Sequence, residues 1–245
     1  MVADDETAPG GRTRPFLWLV VAACAAALPA AAHADEPDVV GVALSAYFED
    51  GTFDDAFMTS VIDQSDTFDY ANDSSWTLAL SYLTHWTDSV RVGGEARYFG
   101  LYAVERDGVE GEQSPLVELG PLLQVVGRGE WLVPIVERRW TLVVGVDAGL
   151  AVLIPGRDLE RQIEELQDEG VGVWSGPRLG YVVGARAGVK HPVWERLSLR
   201  LDYGVEGSRI LVYRVDEEVG GIPVERDTTL KILRHSVSIG AEVAF

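Results

Sequence analysis

Residues 197–206 read Leu-Ser-Leu-Arg-Leu-Asp-Tyr-Gly-Val-Glu. Every odd position from Leu197 to Val205 is apolar, and every even position from Ser198 to Glu206 is polar or glycine. Successive side chains of a β-strand point to opposite faces, so the stretch predicts a strand with one apolar and one polar face.

Seven other segments show the same alternation. They begin near Val40, Trp76, Val90, Val117, Leu142, Leu179 and Leu233. Segments of roughly ten residues match tilted strands that cross a bilayer. No Asp, Glu, Lys or Arg lies on the apolar faces, where only His235 titrates. Pro121 lacks a ladder donor, so the fourth strand is expected to be bulged. The pattern predicts an all-β protein, an eight-stranded antiparallel up-and-down transmembrane β-barrel.

The polar faces carry charges of both signs. The cations are Arg91, Arg97, Arg186, Lys190, Arg200 and Arg234, and the anions are Glu95, Glu118, Asp147, Asp202, Glu206 and Glu242. An eight-stranded barrel is just wide enough inside for side chains to fill it, and buried charges need partners. We therefore predict a lumen charge network of these twelve residues. A narrow polar pore and a small ligand site in the lumen are the alternatives.

The connections between the segments alternate in length. Short or intermediate ones lie at 87–88, 127–139 and 191–196, and long ones at 49–75, 103–115, 154–177 and 207–229. Transmembrane barrels have short periplasmic turns and longer external loops. The aromatic residues at the short-turn ends are Trp86, Trp131, Trp140, Trp194 and Phe245, as expected for an interfacial girdle.

The first 34 residues have the organisation of a secretory signal peptide. Arg12 and Arg14 precede an apolar run over 16–29, and Ala32-His33-Ala34 forms a small-x-small cleavage site. Cleavage after Ala34 leaves 35–245 as a single β-barrel domain. An N-terminal membrane anchor and lipoprotein processing at Cys24 are alternatives. Cys24 is the one cysteine, so the processed chain has no disulfide or thiolate metal site.

Charge excludes one class of partner and suggests another. A formal net charge of −19 argues against binding of nucleic-acid phosphates. The stretch 49–75 holds eight Asp and Glu residues and no Lys or Arg, so it predicts a solvated acidic loop, with weak Ca²⁺ or Mg²⁺ binding as the sharper hypothesis.

Leu159, Ile163 and Leu166 have helical spacing and predict a short amphipathic helix in an external loop. No cofactor motif is present, and none is predicted.

The last eleven residues, from His235 to Phe245, resemble the C-terminal signal of outer-membrane barrels. Val243 and the terminal Phe245 carry that resemblance, which implies recognition by the barrel-assembly machinery. Across 39–245 the chain resembles the small outer-membrane barrel superfamily, with its OmpA-domain, OmpX-like and OmpW-like members. The resemblance implies export to a Gram-negative outer membrane and contact with its lipid. It transfers no catalytic residue.

Four hypotheses about function follow. The first is a non-enzymatic barrel with a structural or surface-interaction role, and the second is a small pore or solute carrier. The third is a lipid-modifying enzyme using His235, Ser236 and Glu242, which is disfavoured because adjacent strand residues face opposite sides. The fourth is a soluble barrel of lipocalin type, whose apolar faces would point inward.

Overall fold

The computed structural model describes residues 37–59, 63–68, 70–72, 75–105, 116–135, 140–168, 172–219 and 222–245. The proposed leader, 1–34, lies outside them. The strands are β1 (Val39–Thr59), β2 (Asp63–Phe68), β3 (Tyr70–Asn72), β4 (Trp76–Thr87), β5 (Val90–Glu105), β6 (Leu116–Ile135), β7 (Trp140–Leu153), β8 (Arg178–Trp194), β9 (Leu197–Val219) and β10 (Ile222–Ala244). Helix α1 (Arg157–Asp168) lies between β7 and β8. Within these ranges, no helix has the length and apolar content needed to span a membrane.

Eight strands close into a ring. β1 and β4 to β10 each pair antiparallel with the next, and β10 pairs back with β1. The short strands β2 and β3 pair with β1 and β5 outside the ring path. The predicted eight-stranded antiparallel barrel is therefore confirmed.

The closure has a defined stagger. The register runs from Val42 of β1 through successive partners around the ring and returns to β1 at Thr52, ten residues further along. A closed sheet with such a stagger must have strands tilted against the barrel axis.

The apolar faces point outward. The exposed large apolar residues of the wall include Val42, Leu44, Leu78, Leu80, Tyr98, Val144, Val146, Leu150, Tyr181, Val183, Leu199, Leu201, Tyr203, Val237, Ile239 and Val243. The charged faces point inward and are buried. A water-soluble barrel needs the reverse arrangement, so the lipocalin-type alternative is wrong.

The two ends of the barrel differ. One end, here the turn end, has two-residue turns at 88–89 and 195–196 and the exposed aromatic residues Trp86, Trp131, Trp140, Trp194 and Phe245. There the backbone N–H of Phe245 donates to the carbonyl of Asp38 at 3.0 Å. At the opposite end, the loop end, β1 is 21 residues long and β9 and β10 are 23 each. Much of the predicted loops 49–75 and 207–229 is thus strand that continues beyond the apolar band.

Strand β6 departs from the expected pattern in two ways. Its register with β5 shifts on either side of Gly120, which has φ +115°, so the bulge expected at Pro121 is present. Leu119 is the extra residue of β6, and it reverses which side chains of the strand face inward. Leu119 itself was predicted to face outward but is buried inside. β6 also continues to Ile135, so the predicted connection 127–139 is largely strand.

Candidate functional site

The interior near the turn end holds a cluster of six charged side chains, here the turn-end cluster. Its members are Arg91, Glu130, Lys190, Arg200, Asp202 and Glu242. Arg91 lies between Glu130, at 2.7 Å, and Glu242, at 2.9 Å. Arg200 contacts the same two carboxylates at 2.6 and 3.0 Å. Each of these carboxylates thus bridges two guanidinium groups, and Arg91 binds Glu242 through two N–H groups, the bidentate geometry for which arginine is suited.

A second group, the central cluster, fills the barrel at mid-height. It consists of Glu95, Arg97, Gln124, Arg128, Asp147, Arg186 and Glu206. The Arg97 guanidinium contacts Glu95 and Asp147, each at 2.6 Å, and also pairs with Glu206. Arg128 lies 3.7 Å from Glu130, which joins this cluster to the turn-end cluster.

Arg234 continues the chain of contacts toward the loop end. Its guanidinium lies 2.5 Å from Glu49, donates to the Tyr102 hydroxyl at 2.6 Å and pairs with Glu206 of the central cluster. The same group stacks 3.6 Å above the ring centroid of Phe99. Arg234 is 1% exposed, so each N–H that it directs at these partners is shielded from water.

Above Arg234 most of the buried side chains are apolar. This apolar plug comprises Tyr47, Phe53, Phe99, Tyr102, Val104, Leu119, Leu122, Ala151, Leu153, Leu159, Ile163, Val173, Ile210, Val212, Leu230 and Ile232. Leu159 and Ile163 come from α1, whose apolar stripe therefore closes the loop end of the barrel. The helix lies where the spacing of Leu159, Ile163 and Leu166 predicts it.

A cavity of about 510 Å³ lies between α1 and the barrel wall, here the loop-end cavity. Leu159, Leu166, Phe53 and Val212 are among its apolar lining residues. Its polar lining residues are Asp55, Asp66, Gln162, Glu165, Tyr213 and Arg226. The cavity thus presents both polar and apolar side chains at one end of a closed barrel.

The best-defined polar pair of this lining is Asp55 with Arg226. Arg226 donates from Nε at 2.9 Å and from Nη2 at 2.5 Å to the two carboxylate oxygens, and Thr228 donates at 2.8 Å. Burial raises the pKa of Asp55, but the hydrogen bonds from Arg226 and Thr228 outweigh it and hold the pKa below its ordinary value. Asp55 therefore stays ionised and keeps Arg226 over the Tyr213 ring, 5.1 Å from its centroid.

Of the twelve residues predicted for the lumen network, the structure brings eleven together. Glu118 lies elsewhere: its carboxylate sits against Gly156, in the turn that leads into α1. The reason is the bulge at Gly120, which reverses the faces of β6 between Glu118 and Leu122. Assigning Glu118 to the lumen was therefore wrong.

Sequence reasoning missed Glu49, Arg128 and Glu130. Arg128 and Glu130 alternate with Gly127 and Gly129. Because glycine has no side chain, the opposite face of this stretch is not apolar, and the alternation did not indicate a strand. Among the described residues, the network then contains seven cations and seven anions: Arg91, Arg97, Arg128, Arg186, Lys190, Arg200 and Arg234 with Glu49, Glu95, Glu130, Asp147, Asp202, Glu206 and Glu242.

The residues considered for hydrolysis do not assemble. His235 lies on the outer wall, where its ring stacks on Phe48 and its Nδ1 is 2.7 Å from the Tyr203 hydroxyl. Ser236 lines the interior beside Arg234, and Glu242 is held by Arg91. In the described part of the chain, no three His, Cys, Asp or Glu side chains are grouped so as to hold a metal ion.

Solved structures with a similar fold are known. The outer membrane protein OprG from Pseudomonas aeruginosa matches with a TM-score of 0.51 and 10% identity, over 86% of this chain and 97% of that one. The chain has the fold of the small outer-membrane β-barrels. Further matches of this barrel type are Neisserial surface protein A, with TM-score 0.44, 10% identity and 85% and 97% coverage, and AlkL, with TM-score 0.40, 12% identity and 89% and 95% coverage.

No protein-family model and no curated protein matches the sequence. At 10% identity the likeness to OprG concerns the fold of the barrel alone. What the lumen clusters, the apolar plug and the loop-end cavity can do follows from this chain's own residues.

Proposed function

We propose that the protein is a closed, non-enzymatic barrel of a Gram-negative outer membrane whose loop end, on the cell exterior, is its interaction surface. The observation that carries this proposal is the closure of the interior. The turn-end cluster, the central cluster and Arg234 form a continuous series of ion pairs, and the apolar plug lies directly above them.

The outer wall supports the placement in a membrane. Its apolar residues form a band between the turn-end aromatics and the charged strand extensions, as in transmembrane barrels. Short turns lie on the periplasmic side of such barrels, so the turn end is assigned to the periplasm and α1 to the exterior. The signal peptide proposed for 1–34 supplies the route of export.

The network explains why a polar interior need not conduct. Its charges balance, and each cation lies within salt-bridge distance of at least one anion. An ion entering the lumen would have to displace such a pair, and uncompensated charge in a poorly hydrated interior costs several kcal/mol. It would then meet the apolar plug, whose side chains are mainly hydrocarbon and do not replace a hydration shell.

Planar-bilayer recording of the full chain tests this proposal, after a heat-dependent shift on SDS gels of the outer-membrane fraction has shown a folded barrel. We expect the shift and no stepwise conductance, while a porin in the same lipid conducts. Reproducible conductance steps from the heat-modifiable protein would refute the closed interior. Recovery of the protein from the soluble periplasm would refute the membrane placement.

The loop-end cavity favours a second candidate function, reception of a small solute with an apolar body and one polar group. We expect benzyl alcohol, a probe of that shape, to shift the methyl resonances of Leu159 and Val212 in lipid nanodiscs. Val117→Trp is designed to fill the cavity and should abolish the shifts, whereas Val144→Leu on the outer wall should leave them unchanged. Equal shifts in wild type and Val117→Trp would exclude binding in the cavity.

A further inference from the structure

Two cations lie side by side on the outer wall near the loop end. Arg209 of β9 and Lys231 of β10 are cross-strand partners in the ladder. On β9 the outward positions before Arg209 are uncharged from Leu197 to Gly207, and on β10 those from Val243 to Leu233 carry no Asp, Glu, Lys or Arg. Arg209 and Lys231 are thus the first outward cations beyond the apolar band on these strands.

The level at which they lie suits a lipid headgroup. Tyr181, exposed on the outer wall, is the ladder partner of Arg209 on β8. Aromatic side chains of membrane barrels concentrate at the headgroup level, and basic side chains there attract anionic lipids. The pair Arg209–Lys231 therefore lies at the outer-leaflet interface in the proposed orientation.

A groove of about 620 Å³ runs down the wall from these cations. Its sides include Tyr181, Val183 and Leu233, which all face outward. Gly207 lies in its floor, and a Cβ built there would meet no atom within 4 Å. The missing side chain leaves a channel in the apolar surface beneath Arg209.

The two cations differ in their partners. Lys231 Nζ lies 2.5 Å from a carboxylate oxygen of Asp54. Arg209 has no ion pair with any described residue, although Asp50 lines the same groove. An exposed guanidinium with free N–H groups is suited to bidentate binding of a phosphate, and the apolar channel is suited to an acyl chain.

We propose that this groove binds a phosphorylated glycolipid with several acyl chains, of the lipid A type, from the outer leaflet. Arg209 holds its phosphate, Lys231 stays paired with Asp54 beside it, and an acyl chain lies over Gly207 between Tyr181 and Leu233. The inference rests on the proposed function, because it requires the loop end to face the outer leaflet. Asp50 is the opposing charge that lines the groove, and it weakens the binding of an anion there, while Asp54 is engaged by Lys231.

Native mass spectrometry of the heat-modifiable barrel, with lipid A titrated against phosphatidylglycerol in EDTA, tests the assignment. Arg209→Gln removes a charge-assisted contact and should weaken lipid A retention by roughly tenfold. Gly207→Leu fills the channel and should weaken it as well, while Asp50→Asn should strengthen it. Arg214→Gln on the same strand is the charge control, because Arg214 is exposed and pairs with Asp227 at 3.3 Å. Ala46→Leu is the size control on another strand.

Selective loss of lipid A from Arg209→Gln and Gly207→Leu, with both controls unchanged, supports binding of lipid A in the groove. Unchanged retention in Arg209→Gln overturns it, and so does equal retention of phosphatidylglycerol, which would show a generic phosphate contact. Weaker retention of lipid A by Asp50→Asn also contradicts the proposed contact between Arg209 and the lipid phosphate. A lost heat shift in wild type would instead count against the proposed barrel itself, so the two failures are distinguishable.

Discussion

Single residues of the interior are held by more than one partner each. Arg97 reaches three carboxylates, those of Glu95, Asp147 and Glu206, and it is 5% exposed. A buried ion pair adds little to stability as a whole, because desolvation offsets the attraction. Removing one member has a large cost, because the remaining charges stay buried without compensation.

Arg97→Ala should therefore lower the free energy of unfolding by about 3–5 kcal/mol. Urea unfolding in phospholipid vesicles, followed by tryptophan fluorescence, measures the change. The matched control is Arg161→Ala on α1, since Arg161 is exposed and makes a single ion pair with Asp158. That variant should stay within about 0.5 kcal/mol of wild type. Equal effects of the two variants would contradict the network's role.

At the loop end, Asp55 gives a pH dependence of defined sign. Its pKa in the folded state is lowered, so its stabilising contribution is present above the unfolded pKa of about 3.9 and is lost as pH falls through the folded pKa. We expect amides of β1 beyond Phe53 to exchange faster as pH falls below about 4, after correction for intrinsic exchange. Asp55→Asn should show fast exchange already at neutral pH and lose the pH-dependent step. A step that persists in this variant would assign it to another carboxylate.

Individual residues also mark where sequence reasoning stopped. Alternation is enough to place Arg91 and Glu242 inside, because no register shift falls between Arg91 and Phe99 of β5 or between Thr229 and Glu242 of β10. It was not enough for Glu118, because one extra residue in β6 reverses the faces. The pairing of Arg97 with Asp147, 50 positions apart, depends on three dimensions and follows from the closed ring.

At the level of elements, the bulge of β6 is held by a specific backbone arrangement. Gly120 has φ +115°, and a Cβ there would lie 1.9 Å from the carbonyl oxygen of Ile154. The N–H of Gly156 donates to the Leu119 carbonyl at 2.8 Å, which ties the bulge to the turn before α1. The bulge therefore positions both the cavity wall and the helix that covers it.

Gly120→Ala should destabilise the barrel by about 2 kcal/mol or more, because an L-residue is strained at this φ and the methyl group meets backbone. It should also change the methyl resonances of Leu159. Gly127→Ala in the same strand is the control, since a Cβ there would be in ordinary contact, 3.6 Å from Ala148. If both variants lose a similar amount of unfolding free energy, the effect comes from adding any side chain to β6 and not from the backbone conformation of the bulge.

The last strand carries the prediction about assembly. Phe245 is 62% exposed at the turn end, and Val243 shares its outward face. Because these side chains contribute little to internal packing, Phe245→Ala should leave the unfolding free energy within about 0.5 kcal/mol of wild type. It should still lower the folded fraction in outer membranes several-fold if the assembly machinery reads this residue. Trp194→Ala, another exposed aromatic at the same end, is the control and should assemble normally.

For the molecule as a whole, the eight alternating segments predicted the strands, and the alternating connection lengths with the terminal strand favoured a membrane barrel with outward apolar faces and inward charges. Three features needed the structure: the length of the strands at the loop end, the docking of α1 and the upper half of the interior. Alternation cannot show where a strand leaves the membrane, because Thr52 and Lys231 continue the same pattern beyond the apolar band. The suggested cation site in 49–75 extends into residues outside the described ranges and stays a prediction.

In the proposed orientation, the length of the hairpin formed by β9 and β10 decides which molecules reach the protein first. Each strand has 23 residues, and crossing a bilayer takes about 9–11, so roughly a dozen pairs stand clear of the lipid. At about 3.4 Å per residue and a tilt of about 45°, the hairpin rises on the order of 30 Å above the membrane. In the proposed orientation, an antibody or a phage tail fibre would meet this hairpin before it reached the lipid surface, so the hairpin is the first epitope that the protein offers to its surroundings.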